Sequence, residues 1–285
     1  MFDSRIYFRY AKRLGVGNGM KIGPQATRST AVSAANAATI VVRGHDLCRD
    51  LIGRIGFTEH VWLLVCGSLP DDGQRRVLDA TLVAIAEHGL VPSVAAARIT
   101  LAAAPEAIQG AVAAGILGCG SVILGSAESA ARLFNDVRGR ASPAGIEEAA
   151  RAAIAELRAA RRPIAGYGHP LHKQSDPRVA RLLAVADEAG QSARHVEIAR
   201  AIERLLPEAT GKPLAMNVSG AIGAVLLDAG FPLLAVKGVP ILARTASLIA
   251  HLLEEQQRPI GFALADSGAA SVGYDGPAPP GFVPE

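Results

Sequence analysis

The sequence predicts a mainly α-helical globular protein, and three observations support this prediction. Apolar residues recur at helical spacing in long segments that begin or end at glycine or proline. No segment shows sustained alternation of apolar and polar residues, so we expect few strands. Hydrophobic residues make up 50% of the 285 and charged residues 19%, which is a composition that can bury a sizeable core in one large or two unequal domains.

The first half of the chain contains a series of predicted helical segments. In order along the chain they are residues 27–46, which end in a turn at Gly44, and residues 48–56, 58–67, 69–89 and 92–105. Thr58 is the candidate N-cap of the segment 58–67, and Gly67 is its candidate C-cap. Residues 110–127 follow without a charge and approach the length of a membrane span, but their five glycines and the flanking charges predict a buried helix and turn instead.

The second half repeats this pattern, with one interruption. Helical segments are predicted at residues 142–163, 176–190, 194–211 and 240–259. Between the first two lies the stretch PIAGYGHPLHKQSDPR, residues 163–178, which combines prolines and glycines with His169 and His172 and ends in an arginine. Proline and glycine predict a loop, whereas the histidines and the arginine indicate that the loop also has a function.

Charge and cysteine usage exclude several classes of function. The net charge of +3 is spread along the chain without a long basic block, so nucleic acid is not expected as a partner. Cys48, Cys66 and Cys119 are far apart and form no CxxC pair, which predicts free thiols in a cytoplasmic protein with no metal site. No P-loop or dinucleotide-binding motif occurs, so no nucleotide cofactor is expected. The basic residues 1–25 predict an N-terminal arm, with a targeting peptide as the alternative.

The segment GYGHPLHKQSDPR, residues 166–178, resembles the GxGHxxxxxxDPR signature of the citrate synthase superfamily. Other segments resemble further family blocks in the same order along residues 25–262. They are VVRGHDLCRDLI (41–52), GSLP (67–70), EHGLVPS (87–93), LGSAES (124–129), MNVSGAIGAVLLDAGFP (216–232) and LARTASLIAHLLEEQQRP (242–259). The short length is similar to that of bacterial citryl-CoA lyases and of the lyase module of ATP citrate lyase.

The resemblance implies a two-domain helical fold that assembles as a homodimer or a higher oligomer, with a cleft between the domains. It implies a large domain at residues 26–126 and 231–265, a small domain at 127–230, an N-terminal arm at 1–25 and a Pro/Gly-rich tail at 266–285. The family's reaction is a reversible Claisen condensation, which joins a CoA thioester such as acetyl-CoA to a keto acid such as oxaloacetate, or cleaves a citryl-CoA-like thioester. The implied ligands are a CoA thioester and a di- or tricarboxylate, and neither nucleic acid nor a membrane is an implied partner.

The resemblance also implies roles for individual residues. His169 matches the histidine that hydrogen-bonds the keto or hydroxyl oxygen of the substrate. Arg178 and Arg244 match arginines that bind its carboxylates, a task suited to a planar guanidinium. Arg258 matches an arginine that reaches across the dimer, and His88 matches a histidine of the same acid pocket.

Residues on the CoA side of the site, and two departures from the family pattern, complete the candidate set. The resemblance assigns Lys173, Gly166 and Gly168 to CoA binding, and Lys173 stands at a position that is commonly basic and faces the CoA phosphates. Leu124 stands where the family has a histidine, and Ser219 stands where it has the aspartate that acts as the base. A serine hydroxyl is too weakly acidic to move a proton at pH 7 without an activating partner.

These departures leave alternatives open. Glu128 or His172 could act as the base in place of the aspartate, whereas Asp228 follows Ser219 by nine residues and is expected to lie too far away. Ser219 could instead hydrogen-bond an enolate or position a water molecule. The chain is therefore interpreted either as a C–C lyase or synthase with a changed proton-transfer group, or as a non-catalytic paralogue or partner subunit that binds CoA or a polycarboxylate.

Overall fold

A computed structural model describes residues 29–141, 145–168 and 174–282. Its contacts divide the chain into two compact units, Met1–Arg54 and Ile55–Glu285, and each unit is described below by itself. The arm predicted at residues 1–25 lies outside the described residues. The division into a large and a small domain at residues 126 and 230 stays a prediction.

The first unit contains a small antiparallel sheet and not the helix predicted for residues 27–46. Strands β1 (Ser33–Ala35), β2 (Ile40–Val42) and β3 (His45–Asp46) pair in sequence order, and a π-helical turn, Leu47–Leu51, replaces the helix predicted at 48–56.

The helix prediction is wrong here for two local reasons. The run Ile-Val-Val of β2 is β-branched and favours extended backbone. Arg43 and Gly44 then have φ angles of 49° and 87°, and they form a two-residue hairpin loop between the paired residues Val42 and His45.

The second unit is helical throughout its regular structure in the part that is described. Its helices are α1 Phe57–Cys66, α2 Asp72–Ala86, α3 Pro92–Ala103, α4 Ile108–Leu117, α5 Ser126–Arg140, α6 Ile146–Ala159, α7 Pro177–Glu188, α8 Arg194–Thr210, α9 Val218–Asp228, α10 Gly238–Gln257 and α11 Gly261–Ala270, with a 3-10 turn at Leu233–Ala235. Each helical segment predicted between residues 58 and 259 overlaps one of these helices. Helix α11 extends into the segment predicted as a tail, whose described remainder has no helix or strand.

The caps of α1 give one confirmed and one wrong prediction. Gly67 ends the helix in the left-handed conformation, and its N–H bonds the carbonyl of Leu63, as expected for a C-cap. The N-cap is Gly56 and not Thr58, because the carboxylate of Glu59 accepts the Gly56 N–H at 2.7 Å. The Thr58 hydroxyl instead donates to Asp79 on α2 at 2.5 Å, so it joins two helices.

Helices α5 and α9 lie side by side and run in the same direction. At their first turns, the Ser126 and Ser219 hydroxyl oxygens are 2.8 Å apart. About one turn further on, a Cβ placed on Gly223 would lie 2.9 Å from the Ala131 nitrogen and 3.0 Å from the Ala127 oxygen. The missing side chain at Gly223 therefore lets the two backbones touch, and the N-terminal ends of both helices reach the same place.

Helix α10 is the long apolar helix of the fold. The stretch Leu233–Gln257, which contains it, is long and apolar enough to cross a membrane by length and composition, a test that core helices of soluble proteins also pass. One face of α10 packs against α2, α3 and α4, and it carries the buried charged residues Arg244 and Glu255.

Candidate active site

The loop that contains Gly166 and Gly168 is hydrogen-bonded to the residues that precede α9. The Gly168 N–H donates to the Ala215 carbonyl at 2.7 Å, and the Asn217 N–H donates to the Gly166 carbonyl at 2.9 Å. The Asn217 side-chain amide donates to the Gly168 carbonyl at 2.7 Å. These bonds hold the backbone that leads into His169 against the start of α9.

The start of α9 is capped in a way that presents Ser219. The Asn217 side-chain oxygen accepts the N–H groups of Ser219 and Gly220 at 3.0 and 3.2 Å, as an N-cap residue does. The Ser219 hydroxyl is therefore not needed for capping, and its partner is the Ser126 hydroxyl at 2.8 Å. Both serines are half-buried.

Asp176 links Arg178 to the same helix start. Its side chain is 1% exposed, accepts the Arg178 Nε and Nη2 at 2.9 and 2.8 Å, and accepts the Val218 N–H at 3.1 Å. Burial raises the pKa of Asp176, but the Arg178 guanidinium and the backbone N–H groups outweigh burial, so the pKa is lowered. Arg178 remains 20% exposed, which leaves the outer part of its guanidinium accessible to a ligand.

Arg244 is buried, and no acidic side chain among the described residues forms an ion pair with it. The residue is 3% exposed, and its Nε and Nη1 have no hydrogen-bond partner among the described residues. The Cys119 thiol lies near it: burial raises the pKa of this thiol, and the Arg244 charge opposes that rise. A guanidinium placed in this way is a binding group for an anion, because an uncompensated buried charge costs several kcal/mol.

The Ser93 hydroxyl is buried at the same helix junction, beside the Cys119 thiol, and its interaction with that thiol opposes the rise in the thiol's pKa. A Cβ on Gly115 of α4 would lie 2.8 Å from the Ser93 carbonyl and 2.7 Å from the Leu248 side chain. Leu248 is one turn beyond Arg244 on α10, so α3, α4 and α10 meet beside the arginine. The Ser93 hydroxyl is thus an additional candidate donor for the anion.

The turn that carries His88 is attached to α10 by Glu87. The Glu87 carboxylate accepts hydrogen bonds from the His88 N–H at 2.9 Å and the Ser247 hydroxyl at 2.5 Å. The His251 Nε2 lies 3.0 Å from the same carboxylate. Burial raises the pKa of Glu87, but the bonds from Ser247 and its other donors outweigh burial and lower it. Because Ser247 lies one turn beyond Arg244, Glu87 holds the His88 turn near the buried arginine.

Arg258 follows α10 in a turn that is fixed by a buried ion pair. Arg98 is 2% exposed, donates to the Glu255 carboxylate at 2.6 Å and donates to the Arg258 carbonyl at 3.2 Å. The Glu255 carboxylate also accepts the N–H groups of Ile260 and Gly261, which begin α11. The Arg258 side chain is 82% exposed, so a rigid backbone presents this arginine to solvent.

Leu124 lies in a strained turn directly before α5. Its φ angle is 64°, which is an outlier for a bulky residue, and its side chain is buried in the core. The Gly125 N–H donates to the Gly120 carbonyl at 3.0 Å and closes the turn. A leucine side chain can exclude water here but cannot donate or accept a proton.

The structure brings some of the predicted site residues together. Gly166, Gly168, Arg178 and Ser219 converge at the start of α9, and Leu124 precedes the helix that carries Ser126. His88 is tied to the helix of Arg244 through Glu87. His169, His172 and Lys173 lie outside the described residues.

Two of the alternative bases are engaged elsewhere. Glu128 accepts Arg132 at 2.7 Å on the same helix. Asp228 ends α9 at the opposite terminus from Ser219 and caps α8 through the N–H groups of Ala193, His195 and Val196. Among the residues whose positions are described, no group of three His, Cys, Asp or Glu side chains is placed to hold a metal ion.

Three candidate site residues are visible in the structure and were not predicted from the sequence: Ser126, Ser93 and Glu87. The sequence did carry a signal for Ser126, because in LGSAES it replaces the second glycine of the family block HGGAxE. Ser93 ends the quoted block EHGLVPS, and Glu87 begins it. Their contacts depend on helix packing between distant segments, which a periodicity analysis does not give.

Gly166→Ala is expected to destabilise the fold more than Gly168→Ala. Both residues have a positive φ, but a Cβ on Gly166 would lie 2.9 Å from the Gly220 backbone and 3.0 Å from Ala130, whereas one on Gly168 would meet only Leu214 at 3.5 Å. We expect a loss of about 2–4 kcal/mol for Gly166→Ala and about 1 kcal/mol for Gly168→Ala in chemical denaturation. Equal losses would contradict the tight packing seen at Gly166.

Comparison with protein families and curated relatives agrees with these features. The family described as "Citrate synthase, C-terminal domain" matches residues 70–261. The 2-methylcitrate synthase of Mycobacterium tuberculosis is 22% identical over 204 residues, which are 70% of this chain and 50% of that protein. The citrate synthase of Haloferax volcanii is 26% identical over 194 residues, 67% of this chain and 49% of that protein. The chain therefore spans about half the length of the curated relatives it matches.

Solved structures extend the similarity to nearly the whole chain. The citryl-CoA lyase of Hydrogenobacter thermophilus superposes with a TM-score of 0.79 at 30% identity, and the match covers 90% of this chain and 97% of that one. An ATP citrate lyase from Methanothrix soehngenii, solved with citrate and coenzyme A, has a TM-score of 0.74 at 22% identity, covering 94% of this chain and 44% of that one. The second match shows a shared fold.

Proposed function

Because the chain belongs to the citrate synthase family, we propose that it makes or cleaves a carbon–carbon bond between a CoA thioester and a keto acid. Acetyl-CoA and oxaloacetate are the candidate pair, and citryl-CoA is the candidate for cleavage. The observation that carries this proposal is the buried guanidinium of Arg244, whose Nε and Nη1 have no partner among the described residues.

A site for a polycarboxylate follows from the physical cost of this arrangement. Removing a guanidinium from water without an anion costs several kcal/mol, and a bound carboxylate would offset that cost with charge-assisted hydrogen bonds. His88, held near Arg244 by Glu87, would contribute to the same acid pocket. Arg178 would bind a further carboxylate with the part of its guanidinium that Asp176 leaves accessible.

The remaining parts of the proposal concern the thioester and the assembly. His169 would hydrogen-bond the keto or hydroxyl oxygen, Lys173 would face the CoA phosphates, and Gly166 and Gly168 would also contribute to CoA binding. In a homodimer the exposed Arg258 would enter the site of the partner subunit. The ligands would bind in a cleft between the large and small domains. The protein is proposed to act in the cytoplasm, without a metal or a nucleotide cofactor.

A second candidate function is a non-catalytic paralogue, or a partner subunit, that binds CoA or a polycarboxylate. The observation that favours it is the pair Leu124 and Ser219, which stand in place of the family's histidine and aspartate. Neither side chain supplies a proton-transfer group at neutral pH.

Calorimetry with CoA, acetyl-CoA, oxaloacetate and citrate, each added separately, tests the proposal together with a citryl-CoA cleavage assay. We expect a CoA compound and a carboxylate to bind, and the carboxylate heat to be lost in Arg244→Met. Arg151→Met is the matched control, because Arg151 is half-exposed and pairs with Glu208 on the surface. Binding without cleavage would favour the non-catalytic alternative, and no binding of any of the four compounds would contradict both.

A further inference from the structure

We propose that Ser126 positions the Ser219 hydroxyl, so that Ser219 donates a hydrogen bond to the thioester oxygen on which negative charge develops. This inference rests on the proposed function and names a positioning residue for it. In this inference Ser219, which replaces the family's aspartate base, acts as a hydrogen-bond donor and not as a base.

The geometry of the two hydroxyls carries the first step. Their oxygens are 2.8 Å apart, and neither hydroxyl has another hydrogen-bond partner within the described ranges. Either hydroxyl of such a pair can donate; in the arrangement that we propose, Ser126 donates to the Ser219 oxygen, and the Ser219 proton is then available for a third group. Both residues are half-buried, so this proton can reach a ligand but is partly shielded from water.

The backbone around the pair leaves both hydroxyls out of the helix caps in the described part of the chain. Asn217 caps the Ser219 N–H, which removes the usual competing acceptor role of a serine near a helix start. Ser126 is the first residue of α5, and its hydroxyl makes no capping bond there. Gly223 holds the two helices in contact one turn further on, which keeps the backbones that carry the two serines close together.

The chemistry of the site favours a donor at this place. Forming or cleaving the bond next to a thioester puts negative charge on the thioester oxygen, and a hydrogen bond aimed at that oxygen lowers the barrier. A hydroxyl that already accepts a hydrogen bond is a better donor, since chains of hydrogen bonds polarise one another. The positive ends of the α5 and α9 dipoles reach the same place and also favour negative charge.

Carboxymethyl-CoA tests this inference without requiring turnover, because its carboxylate puts negative charge close to where the enolate oxygen would form. We expect Ser219→Ala to weaken carboxymethyl-CoA binding about 10–100-fold, and Ser126→Ala about 3–10-fold, with acetyl-CoA binding changed less than 2-fold. Ser126→Thr keeps the hydroxyl and should restore the affinity. The double alanine variant should lose no more than Ser219→Ala alone, because the two serines act as one unit.

The outcomes separate this inference from the proposed function. If neither CoA compound binds the unmodified protein, the proposed function fails. If both bind and the serine variants retain full affinity for carboxymethyl-CoA, the hydroxyl pair is not the donor and the inference is overturned. Melting temperatures within a few degrees of the unmodified protein would show that each variant is folded.

Exchange of the acetyl-CoA methyl protons, followed by NMR, gives a second readout. The unmodified protein should exchange slowly because the pair supplies a donor and no base. Ser219→Asp places a carboxylate beside Ser126, and general-base catalysis should raise the exchange rate about 10²–10⁴-fold. Rapid exchange by the unmodified protein that is lost in Ser219→Ala would show a base acting together with the Ser219 donor. Rapid exchange that Ser219→Ala leaves unchanged would contradict the donor role of Ser219.

Discussion

Arg244→Met is expected to stabilise the ligand-free protein and, at the same time, to weaken binding of a di- or tricarboxylate by about 2–5 kcal/mol, or roughly 30- to 5,000-fold. The Arg244 guanidinium is 97% buried, and two of its nitrogens have no partner within the described part of the chain. Replacing it with an apolar side chain of similar length removes a desolvation cost, so the free energy of unfolding should rise by about 1–4 kcal/mol. Chemical denaturation without ligand and calorimetry with citrate measure the two effects.

Arg178→Met is the matched variant, with the opposite expected sign for stability. It leaves the Asp176 carboxylate, 1% exposed, without its bidentate partner. We expect a loss of about 2–4 kcal/mol, somewhat below the range for a fully buried pair because Arg178 is itself 20% exposed. A loss of stability in Arg244→Met, or unchanged carboxylate affinity in both variants, would contradict the assignment of Arg244 and Arg178 as a carboxylate site.

Asp228→Asn is expected to lower the free energy of unfolding by about 1.5–3 kcal/mol at pH 7, because the amide loses charge-assisted hydrogen bonds that the buried carboxylate accepts. The Asp228 carboxylate and the His195 ring are both 2% exposed and are 2.7 Å apart. The same carboxylate accepts the first N–H groups of α8, and Arg138 approaches the far side of the His195 ring at 3.5 Å. Asp187→Asn is the control, because Asp187 is half-exposed and 3.9 Å from its nearest arginine.

The pH dependence of this effect has a defined sign. Burial raises the pKa of Asp228, but the bonds from His195 and the backbone N–H groups outweigh burial and lower it. A lowered pKa means that the ionised group stabilises the fold fully above the unfolded value, about 3.9, and that this contribution is lost as the pH falls through the folded value. The difference in stability between the unmodified protein and Asp228→Asn should therefore shrink below about pH 4. A constant difference down to pH 2 would contradict the role of the ionised form.

Much of the fold of the second unit could be predicted from the sequence, because its helices have apolar faces at helical spacing and end at glycine or proline. The family blocks also predict that Gly166, Arg178 and Ser219 lie together, and the structure places them at one helix start. The turn predicted at Gly44 is confirmed, but the helix predicted before it was wrong, because the β-branched run Ile40–Val42 pairs across that turn as a strand.

The parts of the site that could not be predicted are contacts between segments far apart in the chain. Ser126 and Ser219 are separated by 93 residues, and Glu87 and Ser247 by 160. Which side chains meet depends on how closely two helices approach, and that distance is set by single small residues such as Gly223. The absence of an ion pair to Arg244 among the described residues is likewise a property of packing, and sequence reasoning could assign that arginine a role only by resemblance.

Glycines at the contacts between α5, α9 and the Gly166 loop allow the backbone segments of this site to pack directly against one another. Gly220 and Gly166 approach within a distance that would leave no room for a Cβ on either, and Gly223 does the same against α5. Ser126 and Ser219 are half-buried beside this packed backbone, so their side chains can differ without a shift in the main chain, whereas Leu124 is buried in the core. A different side chain at Ser126 or Ser219 can thus change the chemistry of the site while the fold of the main chain stays the same.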